Sequence, residues 1–135
     1  MSKKSLLSTA LFSLALAISG LCAASPANAF GVSFSWGNIP SCTSGNPNTV
    51  PSPKFAISGA PKGTAKLRFA LRDLNVPYSH GGGTVAYSGG SVPAGAFKYK
   101  SPCPPDGSHN YQWTITAMDA GGKKLGTAKA TKRYP

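Results

Sequence analysis

Acidic residues are scarce in this chain. Its 135 residues hold only Asp73, Asp106 and Asp119, and no glutamate. Paired carboxylates for acid–base hydrolysis are therefore excluded, because Asp73 has no second acid beside it. Histidine is as rare, with only His80 and His109, and no serine stands in a nucleophile-elbow motif. No stretch carries apolar residues at helical spacing for three turns, and no internal repeat appears. The run "HGGGT" at 80–84 precedes no helix and lacks a Walker lysine, so the pattern excludes a nucleotide loop. We read it as a permissive turn between strands, with a backbone anion nest as the sharper alternative.

What is abundant is positive charge: 14 Lys and Arg give a formal net charge of +11. Residues 1–29 begin with Lys3 and Lys4, continue as "LLSTALFSLALAISGLCAA" and close on Ala27-Asn28-Ala29. A basic start, an apolar middle and an A-x-A end form an export signal of bacterial style. Serine and glycine interrupt the run, which disfavours a membrane anchor. Bulky Leu21 disfavours lipoprotein processing at Cys22. Cleavage after Ala29 would leave residues 30–135 as one domain in the periplasm or the medium. That domain keeps 12 Lys and Arg against the three aspartates, a net +9. Such a field attracts anions, including phospholipid head groups and acidic polymers. Lys66, Arg68 and Arg72 form a basic stripe on one strand face, read as a solvated sheet face, with a membrane-surface contact as the sharper alternative. Export argues against nucleic acid as a partner. The plainer expectation is a basic surface that serves solubility.

Two cysteines remain after cleavage, Cys42 and Cys103. An even pair in an oxidising compartment predicts a disulfide rather than a catalytic thiol.

Sixteen glycines and twelve prolines punctuate the sequence at short intervals, favouring strands joined by turns. Period-two alternation is clearest in "KLRFALRD" (66–73), where Leu67, Phe69 and Leu71 oppose Lys66, Arg68 and Arg72. It recurs in "VSFSW" (32–36), "KFAIS" (54–58) and "YQWTITAM" (111–118). Further strands are expected at 84–87, 96–100 and about 125–133, with a Pro/Asn-rich connection at 46–53 and a hairpin turn at "DAGGKK" (119–124). One apolar face per strand predicts an all-β protein, an antiparallel sandwich or Greek-key sheet with little or no helix.

The polar groups of interest are Asp73 at a strand end, His80 before the glycines, and His109 with Tyr111 after "SPCPPDGS". Alternation puts His109, Tyr111 and Trp113 on one strand face. The prolines before them make a stiff wall with few backbone donors. Two histidines and an aspartate also match the ligand set of a non-haem iron triad, but the short His-x-Asp unit is missing.

Taken together, "NTVPSPKFAISGAPKGTAKLRFALRDLNVP", a following histidine and "YKSPCPPDGSHNYQWTITAMDA" resemble the phosphatidylethanolamine-binding family. More closely, they resemble its bacterial Raf-kinase-inhibitor-like branch, in a shorter and divergent form. Asp73, Pro77 and His80 fit the first motif, with Asn75 in place of its second aspartate. Pro102, Pro104, Pro105, Gly107, His109 and Tyr111 fit the second, with Ser101 in place of its leading glycine. Gly81–Gly83 stand where the family usually has a tryptophan. The resemblance implies a β-sandwich-like fold and a small pocket at Asp73, His80, Pro102, His109 and Tyr111. It implies no metal and no cofactor. The expected function is non-catalytic binding of small anionic or phospholipid head groups. The alternative is a protein-interaction or inhibitor module in which these polar groups are structural.

Overall fold

The computed structural model describes residues 29–135 together with residue 20. The expected export signal therefore lies outside the described residues, apart from Gly20 and Ala29. Eight strands follow in order: β1 (Gly31–Phe34), β2 (Thr49–Pro51), β3 (Phe55–Ser58), β4 (Lys66–Asp73), β5 (Tyr78–Ala86), β6 (Lys98–Lys100), β7 (His109–Met118) and β8 (Lys124–Tyr134). There is no helix among the described residues. A four-stranded sheet runs in the order β5-β4-β7-β8, and β1-β3 and β2-β6 form two-stranded ribbons. Every pairing is antiparallel.

Alternation builds the large sheet. Residues of β4 are exposed and buried in strict turn, which sends Leu67, Phe69, Leu71 and Asp73 inward. Opposite them, Tyr111, Trp113, Ile115 and Ala117 of β7 are fully buried. Trp113 is the hub. Its ring meets Tyr99 at 5.0 Å, Phe55 at 5.2 Å, Phe97 at 5.8 Å and Phe34 at 6.5 Å between centroids. These aromatics come from the ribbons and the segment before β6, so the ribbons cover the inner face of the sheet.

Two features differ from the sequence expectation. The connection at 46–53 contains β2, which pairs Val50 with Tyr99 of β6. More important, β5 begins at Tyr78 rather than near 84, so the glycine run is strand and not turn. The reason is steric. A Cβ on Gly82 would sit 1.8 Å from the Phe69 carbonyl oxygen, and one on Gly83 would sit 2.6 Å from the Phe97 Cβ. The glycines let β5 approach β4 and Phe97. They are packing residues, and the anion-nest idea is not needed to explain them. We expect Gly82→Ala to destabilise the fold by about 1–3 kcal/mol in urea unfolding, because backbone must move to admit the methyl. A neutral result would mean that β5 relaxes freely.

The turn at 119–123 closes as expected, with the Asp119 and Gly122 N–H groups donating to Lys123 and Asp119 carbonyls at 2.9 and 3.0 Å. Cys42 and Cys103 form a disulfide with Cα atoms 4.6 Å apart. The bond ties the segment between β1 and β2 to the proline loop before β7.

Candidate functional site

The end of the large sheet where β4 stops and β7 starts gathers the polar groups. Asp73 pairs in register with Tyr111 of β7 and Tyr78 of β5. Its carboxylate is buried and doubly engaged. Oδ1 accepts the Asn75 N–H at 2.8 Å, and Oδ2 lies 2.6 Å from His109 Nδ1. Asn75 accepts the Asn110 N–H at 2.8 Å, and the Leu74 N–H donates to the Asn110 carbonyl at 2.8 Å. The β4–β5 turn is thus stitched to the start of β7, and the asparagine at 75 has a structural task.

His80 arrives by a different route. The β4–β5 register passes from Leu71↔Gly81 to Arg72↔Ser79, leaving His80 as the extra residue of a bulge beside Gly81 at φ +75°. Bulges re-aim side chains. Alternation from Gly81 would throw this imidazole onto the outer face; the bulge turns it inward to 2% exposure. There Nδ1 lies 2.8 Å from the Lys100 carbonyl oxygen. A carbonyl only accepts, so Nδ1 carries the proton. Burial lowers the His80 pKa below its ordinary value, with the Lys100 carbonyl and the Asp73 charge opposing it. The ring is therefore neutral at pH 7 and Nε2 offers a lone pair.

Tyr111 supplies the third group. It is fully buried, and its hydroxyl makes no well-formed hydrogen bond among the described residues, although the Asp73 side chain and the Cys103 backbone lie beside it. Burial first, and the neighbouring Asp73 charge second, push its pKa well up. The phenol stays protonated as a donor. Tyr78, His80 and Tyr111 stack edge to face, with centroid distances of 4.7 Å and 5.2 Å.

Asp73, His80 and Tyr111 share a cavity of about 190 Å³ with Gly45, Pro47, Val76, Tyr78, Cys103 and Pro105. Its wall is mainly apolar. The five residues expected from sequence thus divide. Asp73, His80 and Tyr111 line the cavity, whereas His109 stands behind Asp73 as the partner of its carboxylate and is not on the wall. Pro102 is a correction: it packs in the core at under 2% exposure, together with Pro104. Along this rigid stretch alternate residues face alternate ways, so Cys103 and Pro105 are the ones that meet the cavity. Gly45 and Pro47 were not anticipated, and the Cys42–Cys103 bond is the one sequence signal that could have drawn them in. Val76 and Tyr78 are exposed apolar residues at the mouth, at 43% and 42%.

The fold is thus an all-β architecture in which the end of one sheet encloses a small cavity lined by a carboxylate, an imidazole and a phenol. Among solved structures, the chain is similar to the phosphatidylethanolamine-binding protein homologue CT736 of Chlamydia trachomatis. Identity is 17%, with 80% of this chain and 98% of that one covered, at a TM-score of 0.57. It is also similar to Escherichia coli YbcL, described as a new member of the mammalian phosphatidylethanolamine-binding family. Identity there is 19%, with 78% and 97% covered, at a TM-score of 0.56. The chain therefore has a phosphatidylethanolamine-binding-protein-like fold. No family model matches the sequence, and neither does any curated protein.

Proposed function

We propose that this protein is an exported, non-catalytic binding module for a phosphoryl head group that also carries an ammonium, of phosphoethanolamine type. One observation carries the reading: the buried Tyr111 hydroxyl makes no well-formed hydrogen bond in a cavity that Asp73 and His80 also line. Leaving a buried donor unmade is costly, so a ligand acceptor there gains more than it would in water. The phenol donates to a phosphoryl oxygen, and Asp73 and Nε2 accept from the ammonium. A bare anion fits less well at pH 7, since it would meet one donor and a carboxylate. Exposed Val76 and Tyr78 at the mouth suit a head group still attached to its acyl chains, which favours a lipid surface as the source. The ribbons covering the sheet support reading the whole as a sandwich.

The test is titration with phosphoethanolamine, ethanolamine and inorganic phosphate while following His80 and tyrosine ring resonances. We expect both rings to shift with phosphoethanolamine at millimolar concentration or below, and less with either half alone. Rings that stay still with all three would overturn the reading. That result would favour the second one, a protein-interaction or inhibitor module. Exposed Leu74, at 50%, continues the apolar rim formed by Val76 and Tyr78 and could serve such a contact.

A further inference from the structure

The outer face of the four-stranded sheet is independent of the cavity and carries a pattern of its own. Registering the strands row by row gives its surface. The first row holds Lys66 on β4, Met118 on β7 and Lys124 on β8; the next holds Arg68, Thr116 and Thr127. Then come Ala70, Thr114 and Lys129, followed by Arg72, Gln112 and Thr131, and last Asn110 with Arg133. Cations therefore stand on both flanking strands, and β7 between them is uncharged. After the first row they alternate sides: Arg68, Lys129, Arg72, Arg133. With side chains on one face repeating about every 7 Å along a strand, the track runs for about 27 Å. Its two rails are two strand spacings, about 10 Å, apart.

The floor is recessed and polar. Thr116 is 8% exposed, while Arg68, Arg72, Lys129 and Arg133 flank it as exposed side chains. Ala70 is exposed despite its small size, so the centre of the face is open. No acidic side chain among the described residues lies on the track. Asp73 points inward, Asp106 sits in the proline loop, and Asp119 is in the β7–β8 turn, where Oδ1 accepts the Lys123 N–H at 2.8 Å. The one ion pair among the described residues is His109–Asp73, so these cations have no internal counter-charge.

We propose that this face is a binding track for a linear acidic polysaccharide. Cations alternating from rail to rail match a chain whose acidic groups project to alternate sides. The threonine and glutamine floor offers donors and acceptors to sugar hydroxyls. Single-stranded nucleic acid is disfavoured because no aromatic side chain on the rows above could stack a base. A lipid surface is disfavoured because the face has no large apolar side chain to insert; Met118 is 9% exposed.

The experiment measures binding of oligogalacturonate and heparin oligosaccharides to the purified protein over a salt series, with amide shifts mapping the contact. Arg68→Ser/Arg72→Ser/Lys129→Ser is compared with Lys54→Ser/Lys62→Ser/Lys98→Ser, which removes equal charge elsewhere. We expect shifts along β4, β7 and β8. The track variant should lose at least about tenfold in affinity at 0.1 M salt, with a log–log salt slope lower by about 2. The off-track variant should stay within about threefold, since the contacts that release counterions are intact. Equal losses in both variants, or shifts confined to other strands, would overturn the proposal. So would tighter binding of poly(dT) or phosphatidylglycerol vesicles than of either glycan at the same salt. If the wild-type shifts map to the track, the result stands even where a variant folds poorly. None of these outcomes bears on the cavity, whose ligand is read from His80.

Discussion

Replacing Cys42 and Cys103 with serine lowers the unfolding free energy by up to roughly 4 kcal/mol in urea unfolding. The bond spans 61 positions of sequence, and loop-closure entropy of that length sets the figure. Twelve prolines already restrict the unfolded chain, so the value is a ceiling. For a domain of this size it is a large share of the 5–15 kcal/mol typical of folded proteins. A second readout belongs to the cavity. The disulfide holds the segment with Gly45 and Pro47 against Cys103 and Pro105, and this segment roofs Tyr111. With the bond gone, water reaches the phenol, and its pKa falls back toward the ordinary 10. An alkaline absorbance titration of the reduced or doubly substituted protein shows that fall directly. A stability loss under about 1 kcal/mol with an unchanged tyrosine titration would mean that packing, not the bond, holds the wall.

Strand β4 was legible in sequence, because Leu67, Phe69 and Leu71 alternate with Lys66, Arg68, Ala70 and Arg72 and the core accepts only the apolar face. The inward set on β7 was legible for the same reason, and it placed His109, Tyr111 and Trp113 together. What alternation could not give was the pairing of β4 with β7, which puts Asp73 opposite Tyr111 across an intervening β5 and β6. That contact was expected only through resemblance to a family. His80 shows the limit most clearly. Glycines commonly mark turns, and the run after His80 read as one. Here they admit a neighbouring backbone and a phenylalanine ring, and the bulge at their start reverses which way the imidazole points. A one-residue slip of this kind flips a side chain from surface to core and has no period of its own to detect. Pro102 fails similarly: the proline motif announced a wall without saying which side of it faces the cavity.

Asp73→Ala is expected to cost about 3 kcal/mol or more of stability and to abolish phosphoethanolamine binding. It strips the partner from buried His109 Nδ1 and from the part-buried Asn75 N–H at once. Asp73→Asn is the more informative change, because an amide oxygen can still accept from Asn75 while the charge is gone. A carboxylate stabilises an imidazolium and opposes a phenolate, so it raises both the His80 and the Tyr111 pKa. Removing it should lower both. Two consequences for stability follow from the signs. In the wild type, His80 binds its proton at lower pH when folded than when unfolded, near 6.5, so folding stability declines as pH drops below about 6.5. Tyr111 ionises at higher pH when folded than when unfolded, near 10, so stability also declines above about pH 10. In Asp73→Asn the acid decline deepens, because His80 resists its proton more strongly. The alkaline decline becomes shallower, because Tyr111 gives up its proton more readily. Ring titrations by NMR and unfolding at pH 5, 7 and 10.5 separate the two limbs. If neither pKa moves, burial alone sets both, and the carboxylate does not reach across the cavity to organise its ligand.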